Sequence, residues 1–357
     1  PMVRMTGGQA MILGKGQARF MLNGRITDFG DEAIRQKLWT LRSEDIERIE
    51  VISNPSGRDM LEMGGGYINI VLRRDQTLGW RGDIGAEAGT SDDWSERASG
   101  SVSYASEKFD MTLDAHGGRT TQTKDDLTTY QVSNSQSFLS DSHTKKTDKE
   151  RAATLTLRYQ PIKQLELGGM LSWQTLWPEK MANGILNYPA DYSTSKAEQF
   201  PDDNTTAKSL TVYGDWRLDA EGKQLSLTYQ DYKKDDDGKS EVGTNYPSYN
   251  YPVIKWQNYH SQVDYHIQSA RIDLTLPFDF LTIDAGASYT NIRNQAHIEI
   301  ESGSTLGINQ TTSSDPDYQE KTKAAYLSLH RDWNIFSVKA GLRYEHSYMK
   351  GHYPDGS

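Results

Sequence analysis

Cysteine is absent from the 357 residues. Its absence removes disulfide scaffolds, thiolate zinc sites, iron–sulfur clusters and cysteine nucleophiles, and it leaves the redox compartment open. Long apolar runs are missing as well. The longest are of the size of Ile70-Val71-Leu72 and Met11-Ile12-Leu13, and only 35% of residues are apolar. A spanning helix needs about 20 consecutive apolar residues, so a helical membrane bundle is excluded. Positive charge is in deficit: 39 Lys and Arg face 49 Asp and Glu, for a net charge of −10. Phosphate contacts need clustered cations, so nucleic acid is not an expected partner. No secretory signal opens the chain, since Pro1 is followed quickly by polar residues and glycine. Either the chain is cytosolic or its own N-terminus lies upstream. Phenylalanine is scarce beside 20 Tyr and 8 Trp. Tyr and Trp have an apolar ring with a polar tip and suit half-wet places such as binding surfaces and membrane interfaces.

The texture changes near residue 76, which divides the chain into 1–75 and 76–357. In the first part, Arg19-Phe20-Met21-Leu22 reads as a strand ended by the turn pair Asn23-Gly24. Asp31 to Leu41 is weakly amphipathic and reads as helical. Ser43 before Glu44-Asp45-Ile46-Glu47-Arg48 reads as an N-cap with acid in the first turn. Ile49 to Ile52 reads as a strand broken by Asn54-Pro55-Ser56-Gly57. Gly64-Gly65-Gly66 then precedes a β-rich run from Tyr67 to Leu72.

The second part has a period of two. Leu165, Leu167, Gly169, Leu171 and Trp173 alternate with Glu166, Gly168, Met170, Ser172 and Gln174. The same ladder runs through Leu281 to Tyr289, Val338 to Tyr344, Leu210 to Leu218 and Leu225 to Tyr229. One face of each strand is apolar and the other polar. About eleven such strands follow residue 76. Their connections are of two kinds. Short ones lie near 106–108, 161–164, 220–222, 277–280 and 332–334. Long polar ones, rich in Tyr, Asn, Asp and Ser, lie near 121–148, 179–204, 235–254 and 303–317. Alternate connections of an antiparallel array sit on opposite ends, so every short turn shares one rim and every long loop the other. This asymmetry marks an outer-membrane barrel, whereas a soluble sandwich has no reason to sort loops by end. Tyr104, Phe109, Tyr159, Trp216, Phe278, Phe280, Trp333 and Phe336 flank the short turns. Trp173, Tyr229, Tyr289 and Tyr344 lie toward the long loops. Two aromatic zones enclosing an apolar band match interfacial girdles. The fold class is therefore mostly β, ending in long antiparallel strands of an incomplete transmembrane β-barrel. An odd strand number leaves unpaired edges that hydrocarbon does not tolerate, so sequence is expected to be missing at both ends.

Residues 44–74 carry a motif: Glu-Asp-Ile-Glu-Arg-Ile-Glu-Val-Ile-Ser-Asn-Pro-Ser-Gly, a Gly-rich stretch, then Tyr-Ile-Asn-Ile-Val-Leu-Arg-Arg. It closely resembles the end of the plug domain of TonB-dependent outer-membrane receptors, in the outer-membrane β-barrel branch of that superfamily. Gly14-Lys15-Gly16 and Leu22-Asn23-Gly24-Arg25 resemble the preceding plug strands. The resemblance implies that residues 1–75 are the C-terminal part of a plug and 76–357 the first part of a barrel of about 22 strands. It assigns the plug motif to Glu47, Arg48, Glu50, Asn54, Pro55, Gly64, Gly65, Gly66 and Asn69. The family's Tyr-Gly pair after the Pro turn is replaced around Asp59-Met60-Leu61. The Ton box, which contacts TonB, would precede Pro1, and the last strands would follow Ser357. Gly64 to Gly66 are expected to let the backbone run close to the barrel wall. Glu47, Arg48, Glu50, Arg73 and Arg74 are expected to pair with inward charges such as Asp83, Glu87, Arg158 or Asp215.

No catalytic constellation stands out, and the chain is not expected to be an enzyme. Gly14-Lys15-Gly16 followed by Arg19 fails both the dinucleotide and the phosphate-loop patterns. Asp235-Asp236-Asp237-Gly238 lacks the alternating acids and terminal Glu of a calcium loop. His116, His260, His266 and His330 lie on different strands, so no metal and no cofactor is expected. The ligand-binding candidates are Trp177, Tyr188, Tyr192, Tyr246, Tyr249, Tyr251 and Trp256, aromatics beside amides and acids in the long loops. Flat rings of this kind suit sugars, peptides or aromatic chelates; the alternative is packing at the membrane rim. By the resemblance, the expected function is TonB-energised uptake of a siderophore, glycan, peptide or similar nutrient at the Gram-negative outer membrane. The expected partners are outer-membrane lipid, TonB, a surface lipoprotein and the small-molecule, glycan or peptide ligand. A surface-binding or adhesion barrel without transport is the alternative.

Overall fold

The computed structural model describes residues 3–6, 9–26, 46–53, 66–72, 78–90, 93–133, 136–187, 195–246, 253–307, 309–333 and 336–352. Strands β1 (Val3–Thr6), β2 (Gln9–Ile12) and β3 (Gly16–Gln17) form a small antiparallel sheet. Strands β4 (Arg19–Leu22), β5 (Arg25–Ile26), β6 (Ile46–Ile52) and β7 (Tyr67–Leu72) form a second sheet in the order β5-β4-β7-β6, with β4 and β7 parallel. The two sheets share an apolar core of Ala10, Ile12, Ala18 and Ile68, with Val3, Phe20 and Val51 packed against it. The turn between β4 and β5 places Asn23 at φ 51° and Gly24 at φ 73°. Two successive left-handed residues make the tight hairpin that an Asn-Gly pair favours. Glu47 and Arg48 belong to β6, not to the first turn of a helix. β6 pairs with β7 from Arg48 to Ile52, and an irregularity between Ile46 and Arg48 shifts the register at its start. The helical reading of Asp31 to Leu41 and the Ser43 cap lie outside the described residues.

Twelve strands build the wall. In chain order they are β8 (Gly79–Thr90), β9 (Trp94–Ala105), β10 (Phe109–Ser133), β11 (Gln136–Ile162), β12 (Leu165–Asn187), β13 (Ser195–Arg217), β14 (Gln224–Tyr246), β15 (Val253–Phe278), β16 (Leu281–Ser304), β17 (Asn309–Ser314), β18 (Asp317–Asp332) and β19 (Ser337–His352). All pairs are antiparallel neighbours, and β17 adds to the outer part of β16. Among the described residues β8 and β19 are the two edges of this sheet. In hydrocarbon both edges require a partner strand, because each unpaired backbone group there costs several kcal/mol.

The turns at 106–108, 163–164, 218–223 and 279–280 share one rim. At the other rim the long polar connections are mostly not loops: β10 runs to Ser133 and β11 starts at Gln136. A strand of 27 residues such as β11 extends roughly 90 Å. An apolar band about 25 Å tall takes only about ten residues of that. The rest stands outside the band as paired hairpin with water on both faces. Two wet faces erase the period of two, which is why polarity there mimics a loop.

The outward face of the wall is an exposed apolar belt: Leu157, Leu171, Val212, Leu227, Ile272 and Leu327 are all surface residues. Below it, rings cluster beside the short turns. Phe278 and Phe280 stack with centroids 6.1 Å apart, Trp333 and Phe336 at 4.8 Å, and Trp80 tilts against Tyr104 at 5.0 Å. Above it stand Trp173, Tyr229, Tyr289 and Tyr344, all exposed. From Phe280 to Tyr289 the path is roughly 30 Å, or ~23 Å along the normal at a usual ~40° tilt. That is the thickness two interfacial girdles must bracket.

Candidate functional site

The N-terminal sheets meet the inner wall through Arg25, the residue that follows the Asn-Gly turn. Its Nη2 lies 2.5 Å from Asp215 Oδ2 on β13. Its guanidinium carbon lies 3.4 Å from the centroid of the Tyr213 ring, two residues earlier on the same face. Both side chains of the ion pair are about four-fifths buried, at 18% and 20% exposure. The buried Arg25 Nε finds no partner among the described residues. Tyr213 lies flat across β12 because its register partner is Gly168, and a Cβ on Gly168 would collide with the ring. The Tyr213 hydroxyl donates to Glu166 at 3.4 Å. Glu166 lies 3.6 Å from Arg158, which pairs in turn with Asp110. A continuous polar track therefore crosses β10, β11, β12 and β13 and ends on Arg25. Planar guanidinium against carboxylate and aromatic face gives both direction and charge to the dock.

Arg25 itself is held by the motif strands. Asn69, buried on β7, accepts from the Gly24 backbone N–H at 2.8 Å and donates to Glu50 at 2.7 Å. Arg48 donates to Glu50 and to Glu47, each at 2.7 Å. Arg48, and after it the Asn69 amide, hold the Glu50 carboxyl below the usual carboxylate range. So Asn69 ties the β4–β5 turn, and with it Arg25, to β6. Gly66 has φ 80°, and a Cβ there would strike the Ile52 carbonyl. Its close approach is to β6 of its own sheet, not to the wall, because β7 must start hard against β6 to bond to it.

Of the expected charge pairs, Asp215 does bind the N-terminal sheets, but through Arg25. Arg48 is used internally. Arg158 is spent within the wall on Asp110 and Glu166, and Glu87 lies 3.9 Å from Arg97. Arg73 and Arg74 lie outside the described residues, as do Asn54, Pro55, Gly64 and Gly65. Arg25, Tyr213, Gly168 and Glu166 were not singled out from sequence. The turn signal just before Arg25 was legible; its partner on the wall was not.

The aromatic candidates divide. Trp177 shares the outward face with Leu171 and Trp173, and the Arg151 guanidinium lies 5.4 Å from its ring. Trp256 shares the outward face of β15 and lies over its register partner Gly303, where a Cβ would collide with the indole. Both rings thus cover the outer surface of the hairpins. Tyr246 ends β14, and Tyr188, Tyr192, Tyr249 and Tyr251 lie outside the described residues. No group of three or more metal-ligating side chains occurs among the described residues.

Residues 216–356 match the model of the outer membrane protein beta-barrel family. No curated protein matches the sequence. Among solved structures, the ferric yersiniabactin uptake receptor FyuA from Yersinia pestis aligns with TM-score 0.50 at 12% identity, over 95% of this chain and 66% of that one. The chain thus spans just under two thirds of that receptor. A variant of the ferric enterobactin receptor PfeA from Pseudomonas aeruginosa aligns with TM-score 0.39 at 10% identity, over 98% of this chain and 86% of that one. Belt, girdles and sorted turns agree with the family match, and the wall has the fold of a β-barrel of the Gram-negative outer membrane, similar in fold to the FyuA receptor.

Proposed function

We propose that the protein takes up a nutrient ligand across the outer membrane, with TonB displacing the plug from the wall. The reading rests on the Arg25 dock. Among the described residues it is a polar, part-buried contact between the N-terminal sheets and the inner face of the wall, of a kind that can break and re-form. Contacts of this type are strong while formed and cost little to re-form, as a reversible stopper requires. The ligand class stays a siderophore, glycan, peptide or similar molecule. The likeness in fold to the ferric yersiniabactin uptake receptor favours a chelate. Tyr188, Tyr192, Tyr246, Tyr249 and Tyr251 are its proposed contacts, and a surface lipoprotein is a proposed partner.

Cysteine labelling gives a direct test, with any cysteine outside these residues replaced. Ser226 is the register partner of Asp215 on the inner face. A single Ser226→Cys substitution in the full-length protein reports on this part of the lumen. Labelling by a membrane-impermeant maleimide should be several-fold faster in energised cells with TonB than in cells lacking TonB. Equal rates in both strains would favour a static surface-binding barrel.

A further inference from the structure

The rim of the wall has a step. The β8–β9 hairpin turns back between Thr90 and Trp94, so β9 pairs with β10 only as far as Arg119, opposite Glu96. β10 then runs on to Ser133 with β11 on its other side. The tip of the short hairpin seals the foot of this step. The Thr121 backbone N–H donates to Ser95 Oγ at 3.3 Å, and Asp93 accepts from Thr123 Oγ1 at 2.6 Å and from Lys145 Nζ at 2.7 Å. The N–H and C=O of one residue in an antiparallel strand point to the same side. The Thr121 bond therefore sets the parity. Thr123, Asp125, Leu127 and Thr129 direct their backbone groups away from β11, into the space beyond the end of β9. Among the described residues no strand pairs with them on that side.

Exposed edges are commonly guarded by Lys, Pro or bulges. Leu127 to Gln131 reads Leu-Thr-Thr-Tyr-Gln, with neither charge nor proline. The charges just before it are engaged within the hairpin: Lys124 pairs with Asp126 at 2.7 Å, and His143 meets Asp125 at 2.5 Å. Leu127 is 69% exposed, and its diagonal neighbour on β11 is Leu139, also exposed. Donors and acceptors alternating at strand spacing are matched by another extended polypeptide, which fixes the chemistry of the occupant. The wall itself does not supply that strand, because β9 holds the neighbouring place and turns back. A second copy in the same membrane does not fit either. A two-fold axis along the membrane normal crosses the two β10 strands at twice their tilt, ~80°, whereas paired strands lie within about 35° of each other. A free peptide gains little, since ordering one residue costs about tenfold in affinity while one ladder bond returns about fivefold. The strand that fits is one already held extended by its own fold.

We propose that the outer edge of β10, from Thr123 to Thr129, receives a preformed, uncharged edge strand of a second protein at the cell surface. That strand continues the wall beyond the end of β9. Its backbone bonds to Thr123, Asp125, Leu127 and Thr129, and an apolar side chain on it covers Leu127. Recognition is tolerant of sequence along the ladder and selective at the one apolar position. The contact is independent of transport, since it uses neither Arg25 nor the lumen-facing side chains.

The probe is a cyclised hairpin peptide of alternating Val and Thr with one free edge, added to the full-length protein in detergent micelles. Amide hydrogen exchange at Thr123, Asp125, Leu127 and Thr129 should be unprotected without the hairpin and slowed about tenfold or more with it. The same hairpin N-methylated along its free edge should give no protection. Thr129→Pro removes one edge N–H and leaves the pairing with β11 in place, since proline is accepted where the N–H faces solvent. It should weaken hairpin binding about tenfold. Thr129→Val keeps the N–H and should bind as the parent does, which separates loss of the bond from misfolding. Absence of protection by the hairpin, or equal protection by its N-methylated form, overturns the proposal. So do amides already protected in the protein alone, which would mean that its own chain fills the edge. A linear peptide of the same sequence binding as tightly as the cyclic one would make this a site for free peptides and overturn the assignment to a folded partner.

Discussion

Replacing Arg25 by alanine should unseat the plug while leaving the barrel wall intact. The change strips Asp215 of its cation and Tyr213 of its stacked guanidinium at once. Breaking a fully buried pair costs about 3–5 kcal/mol; with both groups about one-fifth exposed, roughly 2–3 kcal/mol is expected here. Urea unfolding of the plug within the detergent-folded receptor reads this directly. For a small domain the midpoint should fall by about 1–2 M. Gly168→Ala should act in the same direction without touching the plug, because the new methyl group displaces the Tyr213 ring on which Arg25 rests. Exchanging the charges, Arg25→Asp with Asp215→Arg, should recover part of the loss. An unchanged midpoint in both single variants would remove the dock from the account, and with it the physical basis of a displaceable plug.

The second large effect concerns the belt. Ile272 is 43% exposed and lies between the two girdles on β15. Ile272→Arg should cost about 2–4 kcal/mol of folding free energy in a bilayer, the penalty for a cation near the midplane. Its neighbour Arg271 already carries that charge on the opposite face, where its register partners are Thr228 and Ser288. Refolding into phosphatidylcholine vesicles, followed by the heat-dependent shift in gel mobility, measures the difference. A loss below about 0.5 kcal/mol, of the size common for substitutions at a water-exposed surface, would mean that Ile272 does not face lipid.

Much of this architecture was legible in the residues because a wall with one dry face and one wet face writes its period into the sequence. Leu165 to Trp173 and Leu281 to Tyr289 show this, whereas Tyr67 to Leu72 was legible as a short β-rich run buried at successive positions. The Asn23-Gly24 turn was legible because only left-handed residues close that hairpin. The outer hairpins were not, since water on both faces of 121–148 or 235–246 removes the alternation while backbone pairing persists. The orientation of Trp177 and Trp256 was hidden for the same reason: without a visible period, parity cannot be carried outward from the belt. The Arg25–Asp215 contact joins residues 190 apart. It depends on register, on a glycine opposite a tyrosine, and on the path of the plug, none of which a local pattern encodes.

One measurement reaches the shared premise most directly. With any cysteine elsewhere in the full-length protein replaced, single nitroxide labels can be placed at Leu225, Ser226, Leu227, Thr228 and Tyr229 on β14 in bilayers. Oxygen, which concentrates in acyl chains, should relax the labels at 225, 227 and 229. A water-soluble nickel chelate should prefer 226 and 228. Equal access of the chelate to both sets of positions would show that water bathes both faces, and no membrane wall would remain.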